Sequence, residues 1–228
     1  ASAASVKVVP VISEFNSQFQ LPALENINEK INSKTKAILL CNPSNPTGYV
    51  YSQSEISTLC ELAVSHNIFL IVDEVYREFI HGDIEHYSVL RHPKGAAHTV
   101  IIDSVSKRYS LCGARVGCIV SKNKALIQNL LKFAHLRLSP PTYALIASEA
   151  ALDAPDSYLE GVIAEYGKRR KVLIEALEQI PEVEVSHPMG AFYCIAKLPV
   201  DDAEAFSKFL LTSYQDQDQT VMLAPATG

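Results

Sequence analysis

The 228-residue chain is predicted to form an α/β fold. A three-layer α/β/α arrangement around a mostly parallel sheet comes first, followed by a small α+β unit at the C-terminal end. Three observations predict it. From Lys7 to Ser121, short Val- and Ile-rich runs alternate with amphipathic stretches, which is how a parallel sheet covered by helices reads. After Ser121 the apolar spacing turns helical for a long stretch. Beyond Pro181, short strand signals return beside one helix.

The elements follow in order. Strands are expected over Lys7 to Ile12, Thr35 to Asn42, Ile68 to Glu74, Thr99 to Val105 and Arg115 to Val120, each a short run rich in apolar and β-branched residues. Between the second and third, Ser52 and Glu55 form an S-x-x-E capping box, followed by Ile56, Leu59, Cys60 and Ala63 at helical spacing. Helices are expected over Asn123 to Leu136, Pro141 to Leu152 and Ser157 to Ile180. Pro140 and Pro141 must separate the first from the second, because proline lacks the N–H a helix interior needs. Strands over Val183 to Ser186 and Phe192 to Lys197, a helix over Asp202 to Tyr214 and an apolar run at Val221 to Ala224 complete the pattern. A boundary near Tyr158 divides a larger unit, residues 1–157, from a smaller one, residues 158–228.

Composition excludes several functions. At 48% hydrophobic and 20% charged, the chain can bury a core and stay in solution. A net charge of -5, with no basic block, argues against nucleic acid as a partner. The longest apolar stretches, around Ala37 to Cys41 and Ile68 to Val72, fall far short of the roughly 18 residues a membrane span requires, so no membrane partner is expected. Five cysteines, Cys41, Cys60, Cys112, Cys118 and Cys194, are an odd number without a C-x-x-C pair. They predict buried free thiols in a reducing cytoplasm. No Cys/His cluster has ligand spacing, so no metal is expected. Ala1 to Ser5 lacks the features of a signal peptide, and the expected location is cytoplasmic.

Chemistry gathers where strands should end. After the apolar run Ile68 to Val72 come Asp73 and Glu74, at the carboxyl edge where open α/β sheets bind ligands. Taken alone, Asp73 is equally well explained as a cap on the next turn. Asp103, Ser104, Val105, Ser106 and Lys107 follow a second strand, with Gly113, Arg115 and Gly117 just beyond. Two hydroxyls, an amine and a guanidinium would suit a phosphate ester beside an amine nucleophile, and a polar loop with a solvated lysine explains them as well. A third segment, N-P-S-N-P-T-G at 42–48, holds two asparagines beyond what turn chemistry needs.

Together, N-P-S-N-P-T-G at 42–48, D-E-V-Y at 73–76 and S-V-S-K with G-A-R-V-G over 104–117 resemble the pyridoxal-phosphate-dependent aminotransferases of class I/II, fold type I. The order and separations fit, over nearly the whole chain. The resemblance implies pyridoxal 5'-phosphate as cofactor and a catalytic role for Lys107, Asp73 and Tyr76. Lys107 would bond covalently to the cofactor aldehyde and then move a proton at the substrate α-carbon, a task that needs a depressed pKa. Asp73 would pair with the pyridine nitrogen and keep it protonated. Asn45 and Tyr76 would hydrogen-bond the ring's phenolic oxygen, while Ser104, Ser106 and Arg115 would bind the phosphate. Tyr49 and Tyr51 are expected to pack at the loop edge, and the aromatic residues of G-A-F-Y at 190–193 in the core. Arg137 resembles a position near a partner subunit's site, though a surface arginine reads the same. Glu74 receives no role.

The resemblance also implies an earlier Gly-rich phosphate loop and ring-stacking aromatic, and a later arginine that clamps the substrate carboxylate. Neither is found in this sequence. The chain is therefore expected to be an internal fragment lacking both ends, with an exposed sheet edge and little or no turnover alone. The implied activity is ping-pong amino-group transfer between an amino acid and a 2-oxo acid, of aspartate type, in a homodimer. A β-eliminating lyase on the same fold, or a non-catalytic fragment, is the alternative.

Overall fold

The computed structural model describes residues 4–226; Ala1 to Ala3, which open the segment compared with a signal peptide, lie outside the described residues, as do Thr227 and Gly228. Strands β1 (Ala37–Cys41), β2 (Phe69–Asp73) and β3 (Thr99–Ser104) run parallel, and β4 (Gly117–Val120) closes the order β1-β2-β3-β4 antiparallel to β3. Cys41 pairs with Asp73, and Asp73 with Ile102, so the three parallel strands end along one edge.

Helix α2 (Gln53–Ser65) crosses between β1 and β2. Its capping box is present: Ser52 Oγ accepts the Glu55 N–H (3.2 Å) and Glu55 Oε2 accepts the Ser52 N–H (2.8 Å). The predicted face, Ile56, Leu59, Cys60 and Ala63, is buried and shares one core with Leu70 and Val72 of β2 and Ile101 of β3. Burying each large aliphatic side chain contributes about 1.5–3 kcal/mol. On the opposite face, α4 (Lys124–Arg137) stands over β3 and β4 across a cleft of about 500 Å³ lined by residues that include Ile102, Ile119, Ile127 and Leu131. Leu39 of β1 is 72% exposed on that side.

A short helix α1 (Leu24–Asn28) adds Ile27 to the first core, and α3 (Val105–Arg108) follows β3 directly. After α4 come α5 (Thr142–Ala151) and α6 (Asp156–Glu178), the ribbon β5 (Glu184–Val185) and β6 (Ala196–Lys197), and α7 (Ala203–Thr212). Pro141 caps α5, which separates it from α4 as its ring requires. A second core of Tyr76, Phe79 and Ala191, with Val162 and Tyr166 of α6 and with Phe192 and Tyr193, joins the segment after β2 to the loop between β5 and β6.

Three expectations fail. Lys7 to Ile12 forms no strand: among the described residues it has no ladder partner, and Val8 and Ile12 are exposed, so high β-propensity finds nothing to pair with. The predicted strand Phe192 to Lys197 shrinks to β6, because the chain turns at Ala191 (φ +57°) and Phe192 and Tyr193 go to the aromatic core. Cys112 and Cys118 are exposed rather than buried, one on a turn and one on the outermost strand, while Cys60 is buried and Cys41 and Cys194 are half-buried.

The 42–48 loop docks on the loop after β5. Gly48 O accepts N–H bonds from Met189 (3.0 Å) and Gly190 (2.8 Å). Gly48 has φ +69°, and a Cβ there would run into Pro188. Gly82 also has a positive φ (+81°) but faces open space. Gly48→Ala should therefore cost about 2–4 kcal/mol, from backbone strain plus overpacking, and Gly82→Ala only about 1. Urea denaturation of the two variants checks the difference.

Candidate active site

The three sequence segments arrive at the shared carboxyl edge. After β1, the buried Asn42 donates its N–H to Asp73 O (2.9 Å) and accepts the Tyr51 N–H at Oδ1 (3.1 Å), so the first of the two asparagines holds the loop. Asn45 is exposed, and among the described residues its side chain makes no hydrogen bond. Tyr49 packs edge-on to Tyr51 and donates to Glu55 Oε1 (2.8 Å), at the loop edge as expected.

At the end of β2, Asp73 Oδ1 accepts the Val75 N–H (3.1 Å), which caps the turn and leaves Oδ2 without a hydrogen-bond partner among the described residues. Burial pushes the Asp73 carboxyl up from its ordinary value, the Val75 N–H opposes this, and Asp103 adds to it. The chain then delivers Tyr76, 3% exposed, with its hydroxyl 2.6 Å from that of Tyr193. Burial raises the Tyr76 hydroxyl pKa above its ordinary value, and the Tyr193 bond adds to the rise.

Beyond β3, Ser104 caps α3 by accepting the Ser106 N–H at Oγ (3.1 Å). The two hydroxyl oxygens are 2.8 Å apart, and Ser104 also donates to Val116 O (2.9 Å). Lys107 Nζ, on the same turn, stands 5.8 Å from the ring centre of Tyr76 and 5.9 Å from that of Phe192. Arg115, in the left-handed conformation (φ +57°), donates to Cys112 O (2.9 Å). It lines the cleft beneath α4 together with Ser104 and Ser106. The fold thus brings Lys107 onto Tyr76, groups Ser104 and Ser106 with Arg115, and sets Asp73 on the strand beside β3.

Sequence reasoning missed five participants. Arg108 is buried, with Nε donating to Glu78 Oε1 (2.6 Å) and Nη2 to both Asp103 oxygens (3.1 and 3.0 Å); Arg77 completes the cluster through the same carboxylates. Phe192 and Tyr193 come from far along the chain to cover Tyr76. No local pattern announces these contacts. Glu74 could have been suspected, since a carboxylate directly after a buried run must find a partner.

The profile of the family described as "Aminotransferase class I and II" matches residues 1–215. The chain belongs to that family. Enzymes of the class I and II aminotransferase family depend on pyridoxal phosphate. The chain is similar to an aspartate aminotransferase of Pyrococcus horikoshii, 29% identical over 212 residues that make up 91% of this chain and 52% of that protein. Among solved structures it resembles an aspartate aminotransferase from Thermotoga maritima (TM-score 0.79, 32% identity, 88% of this chain and 52% of that one). An aromatic aminotransferase from Pyrococcus horikoshii gives the same TM-score of 0.79 at 27% identity, over 88% of this chain and 54% of that one. The chain spans about half the length of the relatives it matches. Among the described residues no helix is long and apolar enough to cross a membrane.

Glu74 is fully buried, and its Oε1 accepts the Val89 N–H (3.0 Å), tying the end of β2 to the turn at Val89–Arg91. Burial pushes its carboxyl above the ordinary value of 4.5, against the Val89 N–H. Above pH 4.5 the folded chain keeps this proton after the unfolded chain has released it, so the contribution to stability is full below 4.5 and is lost as pH rises through the raised value. Glu74→Gln keeps an acceptor for Val89 and removes the titration. Its stability relative to wild type should climb above pH 4.5, with a slope of at most about 1.4 kcal/mol per pH unit. Denaturant titrations at stepped pH measure the slope.

Proposed function

We propose that this protein is a pyridoxal-phosphate-dependent aminotransferase that moves an amino group between an amino acid and a 2-oxo acid, with an aspartate-type substrate. The observation that carries the reading is Lys107 Nζ standing over the Tyr76 and Phe192 rings at the edge where the Asp73 strand ends.

The donor set suits the cofactor. A primary amine matches its aldehyde, a carboxylate its ring nitrogen, a phenol its ring oxygen, and two hydroxyls with a guanidinium its phosphate. When bound, pyridoxal phosphate supplies a conjugated pyridinium ring that takes up the electron pair left as a substrate α-proton departs. Lys107 Nζ holds the aldehyde and afterwards carries that proton. The aromatic faces beneath it exclude water from one side of the amine. Asp73, with Oδ2 free, holds the proton on the ring nitrogen. Tyr76 and Asn45 serve the ring oxygen. Ser104, Ser106 and Arg115 bind the phosphate, Arg115 with the guanidinium donors not committed to Cys112.

In this reading residues 1–157 form the cofactor-binding unit and residues 158–228 a smaller C-terminal one. The working protein is a cytoplasmic homodimer.

The test is direct. The protein is mixed with pyridoxal phosphate, reduced with borohydride and mapped by peptide. A stable pyridoxyl adduct on Lys107 is expected, absent in Lys107→Ala. Whatever turnover of aspartate with a 2-oxo acid the chain supports should fall at least about a hundredfold in that variant. An adduct that persists in Lys107→Ala, or sits on another lysine, would defeat the assignment.

A further inference from the structure

We propose that Tyr193 is a positioning residue of the cofactor site: it donates its proton to Tyr76 Oη and so turns the Tyr76 proton toward the acceptor held at Lys107. This rests on the reading that Lys107 and Tyr76 hold pyridoxal phosphate.

The geometry is specific. The two hydroxyl oxygens are 2.6 Å apart although the residues are 117 positions apart in the chain, and among the described residues the Tyr193 hydroxyl has no other hydrogen-bond partner. Tyr193 is held in place by its loop, where Ala191 N–H donates to Phe79 O (2.8 Å), His81 Nε2 pairs with Ala191 O (2.9 Å) and Gly190 N–H donates to Gly48 O (2.8 Å). The Tyr76 ring meets Phe192 at 5.2 Å and Tyr193 at 5.5 Å, both edge-on, so neither phenol can swing away. The titratable and charged groups around Tyr76 are Tyr193, Lys107 of α3, and Asp73 and Cys41 at the ends of β2 and β1.

Phenol chemistry supplies the direction. Each hydroxyl has one proton and two acceptor sites, and a pair can place only one proton between its oxygens. If Tyr76 donates to Tyr193, Tyr76 has nothing left to give a third group. If Tyr193 donates to Tyr76, the Tyr76 proton is free for an anionic ring oxygen. A negatively charged acceptor selects the second arrangement, and each bond in such a chain polarises the next. Tyr193 thereby makes Tyr76 a stronger donor without touching the cofactor itself.

The experiment uses Tyr193→Phe, Tyr76→Phe and the double variant, each loaded with pyridoxal phosphate. A donor at the ring oxygen stabilises its anion and holds off protonation of the bound chromophore. The midpoint of the visible pH titration should therefore rise by about one unit in Tyr76→Phe and by about half a unit in Tyr193→Phe. The double variant should match Tyr76→Phe, because Tyr193 acts only through Tyr76. 3-Fluorotyrosine at position 193, a stronger donor of the same shape, should lower the midpoint, and it keeps the test valid if Tyr193→Phe fails to fold. A folded Tyr193→Phe with a Lys107 adduct and a wild-type midpoint overturns the inference, as does a shift that adds to that of Tyr76→Phe. If wild type yields no Lys107 adduct, the cofactor reading fails first and this inference falls with it.

Discussion

Everything at the candidate site depends on how one turn of helix is anchored. Helix α3 has four residues, far too few to persist through its own hydrogen bonds. Ser104 caps its start, and at its end Arg108 grips Asp103 and Glu78. Lys107 sits between the cap and the anchor. Asp103 belongs to β3, where it pairs with Cys118 of β4, so the turn inherits the rigidity of the sheet. Glu78 belongs to the segment after β2 that also bears Tyr76. A single half-buried cluster of two arginines and two carboxylates therefore fixes both the amine and the phenol. Such a cluster contributes little net stability, since desolvation offsets attraction, but losing one member leaves a charge without its counter-ion. Its use here is geometric.

The second constraint is the contact between the loop at 42–48 and the loop after β5. Gly48 and Gly190 let two backbones approach where any side chain would collide, and the carbonyl of Gly48 takes two N–H bonds across the gap. That approach carries Phe192 and Tyr193 onto Tyr76. The C-terminal part of the chain is thus tied into the site through backbone hydrogen bonds and edge-on ring contacts.

What the sequence made legible follows from how local each signal is. The runs ending at Cys41, Asp73 and Ser104 were readable because parallel strands are apolar along nearly their whole length, and a polar residue at or just after the end of each run marks where the strand stops. Helix α2 was readable from Ser52 and Glu55, since its cap and its apolar face lie within a dozen residues. Lys7 to Ile12 has the same local composition as a true strand, yet a ladder requires a partner that composition does not specify. Helix α3 is too short to show a period. Exposure of Cys118 depends on what covers β4, and the Tyr76–Tyr193 bond spans 117 residues, so both belong to tertiary structure alone.

One feature of the site looks self-defeating until the charges are followed. Burial raises the pKa of Asp73, yet its proposed task is to remain an anion opposite a protonated ring nitrogen. The low dielectric that penalises a lone carboxylate also strengthens its attraction to a cation placed beside it. Ionisation of Asp73 and protonation of the ring therefore favour one another, and each is weak without the other. A site of this kind discriminates by charge: it gains most from a ring that arrives able to hold a proton, and a neutral analogue of the same shape would leave the half-buried Asp73 without a counter-charge. The half-buried position at the end of β2, with one oxygen committed to Val75 and the other free, is what makes the carboxylate conditional in this way.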